Sequence, residues 1–196
     1  MKSSFLLAVA VTLIVAMPPY VTAQSKKYDL KSGIITFVEN TVMSGRKDTK
    51  KVVVYFDDYG MKERRDVYEG DRITETFFSD GRTLYTVVHS EKTAYNRGSA
   101  TRGTELRFDW DEVSSKGIRD GTVRKLPNIT VAGKSCESFE RISSSEKIVF
   151  AGWSHICLMT ELTAPKMRKD SRAVSFEENL AVPAEKFKVP RGYAVK

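Results

Sequence analysis

The side chains that could do chemistry in this chain are few: two cysteines, Cys136 and Cys157, two histidines, His89 and His155, and the carboxylate groups Asp57/Asp58 and Asp109/Asp111/Glu112. Neither histidine has a Cys, Asp or His at a spacing that would complete a metal site. The cysteines lack the C-x-x-C spacing of a thiol redox centre. Paired carboxylates can share acid and base work, but both groups have a structural use. Asp57 and Asp58 precede Tyr59-Gly60, where Asp side chains bond nearby backbone amides in a turn. In "FDWDEVSSKG", Asp109 is placed to cap a helix, Glu112 to close a capping box and Gly117 to end it. No nucleophile elbow, phosphate loop or dinucleotide fingerprint is present. The sequence therefore assigns no catalytic residue, no metal and no cofactor.

What the cysteines do depends on compartment. The chain opens "MKSSFLLAVAVTLIVAMPPYVTAQ", with one lysine, an apolar run from Phe5 to Met17, Pro18-Pro19 and the small-residue site ending at Ala23. This is the pattern of a cleaved secretory signal peptide, and the run is shorter than the roughly 20 residues of a membrane-spanning helix. The expectation is a signal peptide over residues 1–23 and a periplasmic or secreted single domain over 24–196, with no lipid-anchor cysteine after the cut. In an oxidising compartment Cys136 and Cys157 are expected to pair, stabilising the fold by about 3 kcal/mol through loop closure. If they oppose each other across one hairpin, Glu140 pairs with Trp153, Ile142 with Ala151, and the turn falls at Ser145–Ile148. If "KIVFAGW" and "HICLMTEL" are separate strands, the cysteines lie two strands apart at roughly 9.5 Å, beyond the roughly 7 Å a disulfide spans.

The elements that position these groups read as strands. "GIITFVENTV" (33–42), "KKVVVYF" (50–56), "KERRDVY" (62–68), "ITETFFS" (73–79) and "TLYTVVH" (83–89) are rich in β-branched and aromatic residues and are separated by "SGRKDT", "DDYG", "EGD" and "DGR", the composition of hairpin turns. The apolar second strand is expected to be covered on both faces, and the charged "KERRDVY" to be exposed or at an edge. After the helix signal, "ITVAG", "CESFERI", "KIVFAGW", "HICLMTEL" and "RAVSFEEN" return to strand character. A chain of this length can bury roughly 70% of its unfolded surface in one core, and no repeat or linker divides it. The formal charge of +7 is spread among interleaved acids and bases. That suits a solvated face or contact with anionic headgroups; nucleic acid is disfavoured as a partner of an exported chain.

Five stretches, "YDLKSGIITFVENT", "VVYFDDYGMKER", "VAGKSCESFE", "FAGWSHICLMTE" and "LAVPAEKFKVPRGYAV", resemble a family of bacterial secreted proteins whose fold is similar to the periplasmic lipoprotein carriers LolA and LolB. The resemblance runs from about Tyr28 to Val195 and its motifs are turns and strand ends. It implies a mainly β (α+β) fold, a curved antiparallel sheet or unclosed barrel wrapped around short helical segments, with an apolar concave surface that holds acyl chains. The function so implied is a non-enzymatic binding module for a lipid, acyl chain or lipoprotein-like ligand. The candidate lining residues are Phe37, Val53, Tyr55, Phe77, Tyr85, Val87, Phe150 and Trp153, with Lys62, Arg64 and Arg65 as candidate headgroup contacts. A different class, an envelope protein–protein interaction module with no small ligand, fits the same strands.

Overall fold

The computed structural model describes residues 26–100 and 117–196. The expected signal peptide and the helix signal at Asp109–Lys116, with Asp111 and Glu112, lie outside them. Twelve strands form one sheet: β1 (Gly33–Met43), β2 (Arg46–Asp57), β3 (Lys62–Glu69), β4 (Arg72–Ser79), β5 (Thr83–Val88), β6 (Thr93–Ser99), β7 (Val123–Val131), β8 (Lys134–Ile142), β9 (Lys147–Trp153), β10 (Ile156–Ala164), β11 (Met167–Glu178) and β12 (Ala194–Val195). The order is β12-β6-β5-β4-β3-β2-β1-β11-β10-β9-β8-β7. Two antiparallel meanders, β1 to β6 and β7 to β11, join where β1 pairs with β11, and the two-residue β12 adds in parallel to β6. Apart from helical residues 117–119 beside the undescribed stretch, the only helical elements among the described residues are short 3₁₀ turns at Asp58–Gly60, His89–Glu91 and Ala184–Phe187. The helical segments expected inside the curve are not among the described elements.

Local chemistry explains the turns. Ser44 and Gly45 both take positive φ, the backbone of a two-residue hairpin whose twist matches its strands. The remainder of "SGRKDT" therefore belongs to β2. At "DGR", Asp80 Oδ1 accepts from the backbone N–H groups of Arg82 and Thr83, each at 2.8 Å. At "DDYG" the expected Asp cap is absent: Asp57 makes no side-chain capping bond, and Tyr59 O instead accepts from the amides of Lys27 and Tyr28. Gly60 is required there, because a Cβ at its position would come within 2.4 Å of the Tyr28 ring.

The sheet curls. Arg172 on β11 donates from Nη2 to Thr130 O on β7 at 3.1 Å, although β8, β9 and β10 lie between them in the sheet. In a flat sheet four strand spacings would separate these strands by roughly 19 Å. β2 is covered as expected, with Val52, Val53, Val54 and Phe56 buried. β3 is not an edge strand: it pairs with β2 and β4, and Glu63, Arg64, Asp66 and Val67 are buried. Charge pattern misplaced this strand because Arg64 and Asp66 pair within it, while Glu63 and Arg65 are met by Tyr28 and Glu39 from elsewhere in the chain.

Candidate functional site

Cross-strand register sorts the first meander into two faces. On one, Ile35, Val54, Arg65, Phe77 and Thr86 align across β1 to β5, beside the row Phe37, Val52 and Val67. On the other, Ile34, Tyr55, Arg64, Phe78 and Tyr85 align, beside Thr36, Val53, Asp66, Thr76, Val87 and Ala94. The first face is concave. A cavity of about 590 Å³ on it is lined from β6 across to β10, including Phe37, Val52, Val54, Phe77, Leu84, Thr160, Leu162 and Met167. This volume is within the range of small-molecule sites.

The apolar wall carries one polar cluster. Arg65 reaches past the Phe37–Val52–Val67 row to donate from Nη2 to Glu39 Oε1 at 2.6 Å. Ser171 Oγ donates to the same oxygen at 3.2 Å, and Lys169 Nζ stands 3.9 Å from Glu39 Oε2. All four residues line the cavity. Glu63, also on the wall, accepts from Tyr28 OH at 2.5 Å. Arg97 donates to Thr86 Oγ1 at 3.2 Å.

The opposite face is sealed by the C-terminal segment. Val189 and Tyr193 pack on the cluster of Phe78, Val87 and Ala94, and Lys186 O accepts from Arg64 Nη1 at 3.1 Å. Beneath this strap Arg64 Nε donates to Asp66 Oδ1 at 2.8 Å, as does Thr76 Oγ1 at 2.5 Å. With its one proton given to Asp66, Thr76 Oγ1 accepts from His89 Nε2 at 2.9 Å, leaving His89 Nδ1 to accept from Tyr193 OH at 3.0 Å. Burial first, and the Arg64 cation second, hold His89 below the ordinary histidine range, with Asp66 acting in the opposite sense. His155 lies elsewhere, on Asp29 Oδ2 at 3.0 Å. His89 links the Asp66–Thr76 pair to Tyr193 of the strap.

The sequence candidates divide between these environments. Phe37 and Phe77 line the cavity from the concave face; Tyr85 and Phe78, which stack at 4.8 Å, also border it although the register puts them in the opposite row. Val53, Tyr55 and Val87 sit on the sealed face, Tyr55 with Lys186 Nζ 4.1 Å from its ring centroid. Phe150 is in register with cavity-lining Thr160 and packs on Phe139 and Val123. Trp153 packs on Phe176 at 5.9 Å and carries Lys134 over its ring at 4.6 Å. Of the headgroup candidates, Arg65 faces the cavity and Arg64 is buried beneath the strap. Glu39, Leu84, Leu162, Lys169 and Ser171 are cavity residues the sequence did not single out. The alternation of β1 offered one signal for Glu39, which continues the inward series Ile35, Phe37.

The cysteines are unpaired. Glu140 pairs with Val149, not Trp153, the β8–β9 turn is closed by Ser143 N donating to Glu146 O at 2.8 Å, and β9 separates the two cysteines. They also point apart: Cys136 joins the core of Val131 and Ala151, and Cys157 packs against Phe139 and Phe150. Burial pushes both thiols up from their ordinary pKa, the reverse of an activated nucleophile.

No family model matches the chain, and no curated protein matches it. Solved structures do. A conserved protein from Thermus thermophilus superposes at a TM-score of 0.56 with 9% identity, covering 87% of this chain and 93% of that one. MucB superposes at 0.51 with 11% identity, covering 87% of this chain and 62% of its own. LolA superfamily protein NE2245 from Nitrosomonas europaea is also matched, at 0.40 with 9% identity over 83% of this chain and 92% of that one, a score too low to argue from. At these identities the likeness is one of fold. It is the open, curved antiparallel sheet that the first two structures share with this chain.

Proposed function

We propose that the protein is a non-enzymatic binding module of the periplasm or cell exterior that holds a lipid, an acyl chain or an acylated protein in the concave face of its sheet. The observation that carries this reading is the cavity of about 590 Å³ walled by Phe37, Val52, Val54, Phe77, Leu84 and Leu162. Apolar side chains gathered on a concave surface gain roughly 25 cal/mol for each Å² an acyl chain covers, and one polar cluster at the wall can set the ligand's orientation. The resemblance of the sequence to lipoprotein carriers agrees with it. Among the described residues no helix is long and apolar enough to cross a membrane. Function here is burial without covalent chemistry, so no residue is assigned a catalytic role.

Native mass spectrometry on protein purified under non-reducing conditions from its own source, followed by lipid extraction, tests the reading. A stoichiometric acyl-containing ligand is the expected result. A clean ligand-free mass, together with no uptake of a fluorescent fatty acid, overturns it in favour of an envelope protein partner. The same spectrum reads the thiols: a mass two hydrogens low would restore the disulfide.

A further inference from the structure

We infer that the ligand of the concave cavity is an anionic amphiphile whose carboxylate or phosphate headgroup docks at Lys169, Arg65 and Ser171. This deepens the binding-module reading and rests on it. Among the described residues the charged ones on the cavity wall are Glu39, Glu63, Arg65, Arg97 and Lys169, so cations outnumber acids by one. The acids are already satisfied: Glu63 by Tyr28 OH at 2.5 Å, Glu39 by Arg65 at 2.6 Å and Ser171 at 3.2 Å. Two of the cations are not. Among the described residues Lys169 has no partner nearer than Glu39 Oε2 at 3.9 Å, outside hydrogen-bonding reach. Among the described residues Arg97 is held by Thr86 Oγ1 and the Tyr95 ring and by no carboxylate.

This asymmetry sets the sign of the headgroup. A cationic headgroup would meet Glu39 already shared by two cations, and an uncharged one would make no use of the Lys169 ammonium, which stands 45% exposed at the cavity wall. An anion is the complement, because Lys169 has three donors and a charge-assisted bond is stronger than a neutral one. Placement agrees: the cluster sits beside the Phe37–Val52 row, so a headgroup bound there directs its chain over Val54, Phe77 and Leu84.

The test uses the full mature chain and five probes: dodecanoate, dodecyl phosphate, dodecanol, dodecyltrimethylammonium and inorganic phosphate, each by calorimetry or displacement of a bound fluorophore. Dodecanoate and dodecyl phosphate should bind about tenfold more tightly than dodecanol, with a preference that shrinks at high salt, and the cationic probe should bind least. Lys169→Gln, at a half-exposed position, should remove most of the preference, read as the ratio of dodecanoate to dodecanol affinity in the same variant. Glu39→Gln should strengthen the anionic probes, since it deletes the competing carboxylate. Equal binding of dodecanol and dodecanoate overturns the headgroup assignment and leaves the cavity reading intact. Failure of every chain-bearing probe overturns both. Inorganic phosphate binding as tightly as dodecyl phosphate overturns the amphiphile in favour of a free anion.

Discussion

Arg64 and Arg65 are neighbours in sequence, and the pleat sends them to opposite faces of one strand. Each holds a carboxylate: Arg64 binds Asp66 at 2.8 Å, and Arg65 binds Glu39 at 2.6 Å. Around Arg64 the carboxylate is wholly buried, the C-terminal strap covers the pair, and Thr76, His89 and Tyr193 extend it into a network. Around Arg65 the pair keeps some exposure, 21% for Arg65 and 14% for Glu39, and a cavity lies in front of it. The chemistry of the pair is the same on both faces. What separates structure from candidate site is the cover.

The comparison breaks most sharply at the carboxylates. Asp66→Ala leaves the Arg64 guanidinium buried with its charge uncompensated, and loss of one partner of a buried pair costs about 3–5 kcal/mol. Glu39→Gln keeps an amide oxygen that Arg65 can still bond, and should cost less, about 1–2 kcal/mol. Urea denaturation of both variants measures the difference. Equal losses would mean that the concave face is as closed as the strapped one.

The aromatic residues sharpen it next. Phe187 is a buried residue of the strap itself, and Phe187→Ala should destabilise by about 3 kcal/mol through lost burial and the cavity left behind. Phe77 is 38% exposed, so Phe77→Ala should cost roughly 1 kcal/mol, in proportion to the smaller area it buries. Acyl-probe binding should report the reverse order: Phe77→Glu abolishes it, and Phe187→Ala at a temperature where the variant is folded leaves it intact.

Strands with an alternating or continuous apolar pattern were legible in the sequence. β1 to β5 and β8 to β11 fall within a few residues of the runs that announced them, and β9 coincides with "KIVFAGW". β6 and β12 were not, because "TAYNRGS" carries little apolar signal and β12 forms by docking the tail on β6. β3 was found and then misplaced: its charges were read as solvated, when Tyr28, Glu39, Thr76 and Lys186 O, each remote in sequence, satisfy them inside. The site was legible only where a large side chain pointed inward, as with Phe37 and Phe77. Val53 and Tyr55 stand next to Val52 and Val54 in an unbroken apolar run, and period-two alternation cannot say which of two covered faces is the hollow one. Lys169 and Ser171 join Glu39 only through the β1–β11 pairing, which no local pattern encodes.

The smallest expected effect separates the faces by pH. His89 is held below the ordinary histidine value of about 6.5 by burial and by Arg64, so the folded state favours neutral imidazole more strongly than the unfolded chain does. Its contribution is therefore present in full above about pH 6.5 and is lost as pH falls through the lower folded value. The groups facing it are Arg64 and Asp66 of β3, Thr76 of β4 and Tyr193 of the strap. Protonation puts a second donor at Nδ1, where Tyr193 OH now donates, and adds a cation near Arg64. Between pH 7 and pH 5 the strap should loosen before the sheet does, seen as faster amide exchange at Ala194 and Lys196, which bond Lys92 O and Ala94 O. His89→Gln keeps a side chain able to donate to Thr76 and cannot titrate, so its exchange at these amides should be flat across that range. His89 lies on the strapped face and not among the residues that line the cavity, so affinity for an uncharged acyl probe should not follow the strap. If binding and strap exchange change together, the two faces are coupled through β3, and the strap governs the cavity as well as the core.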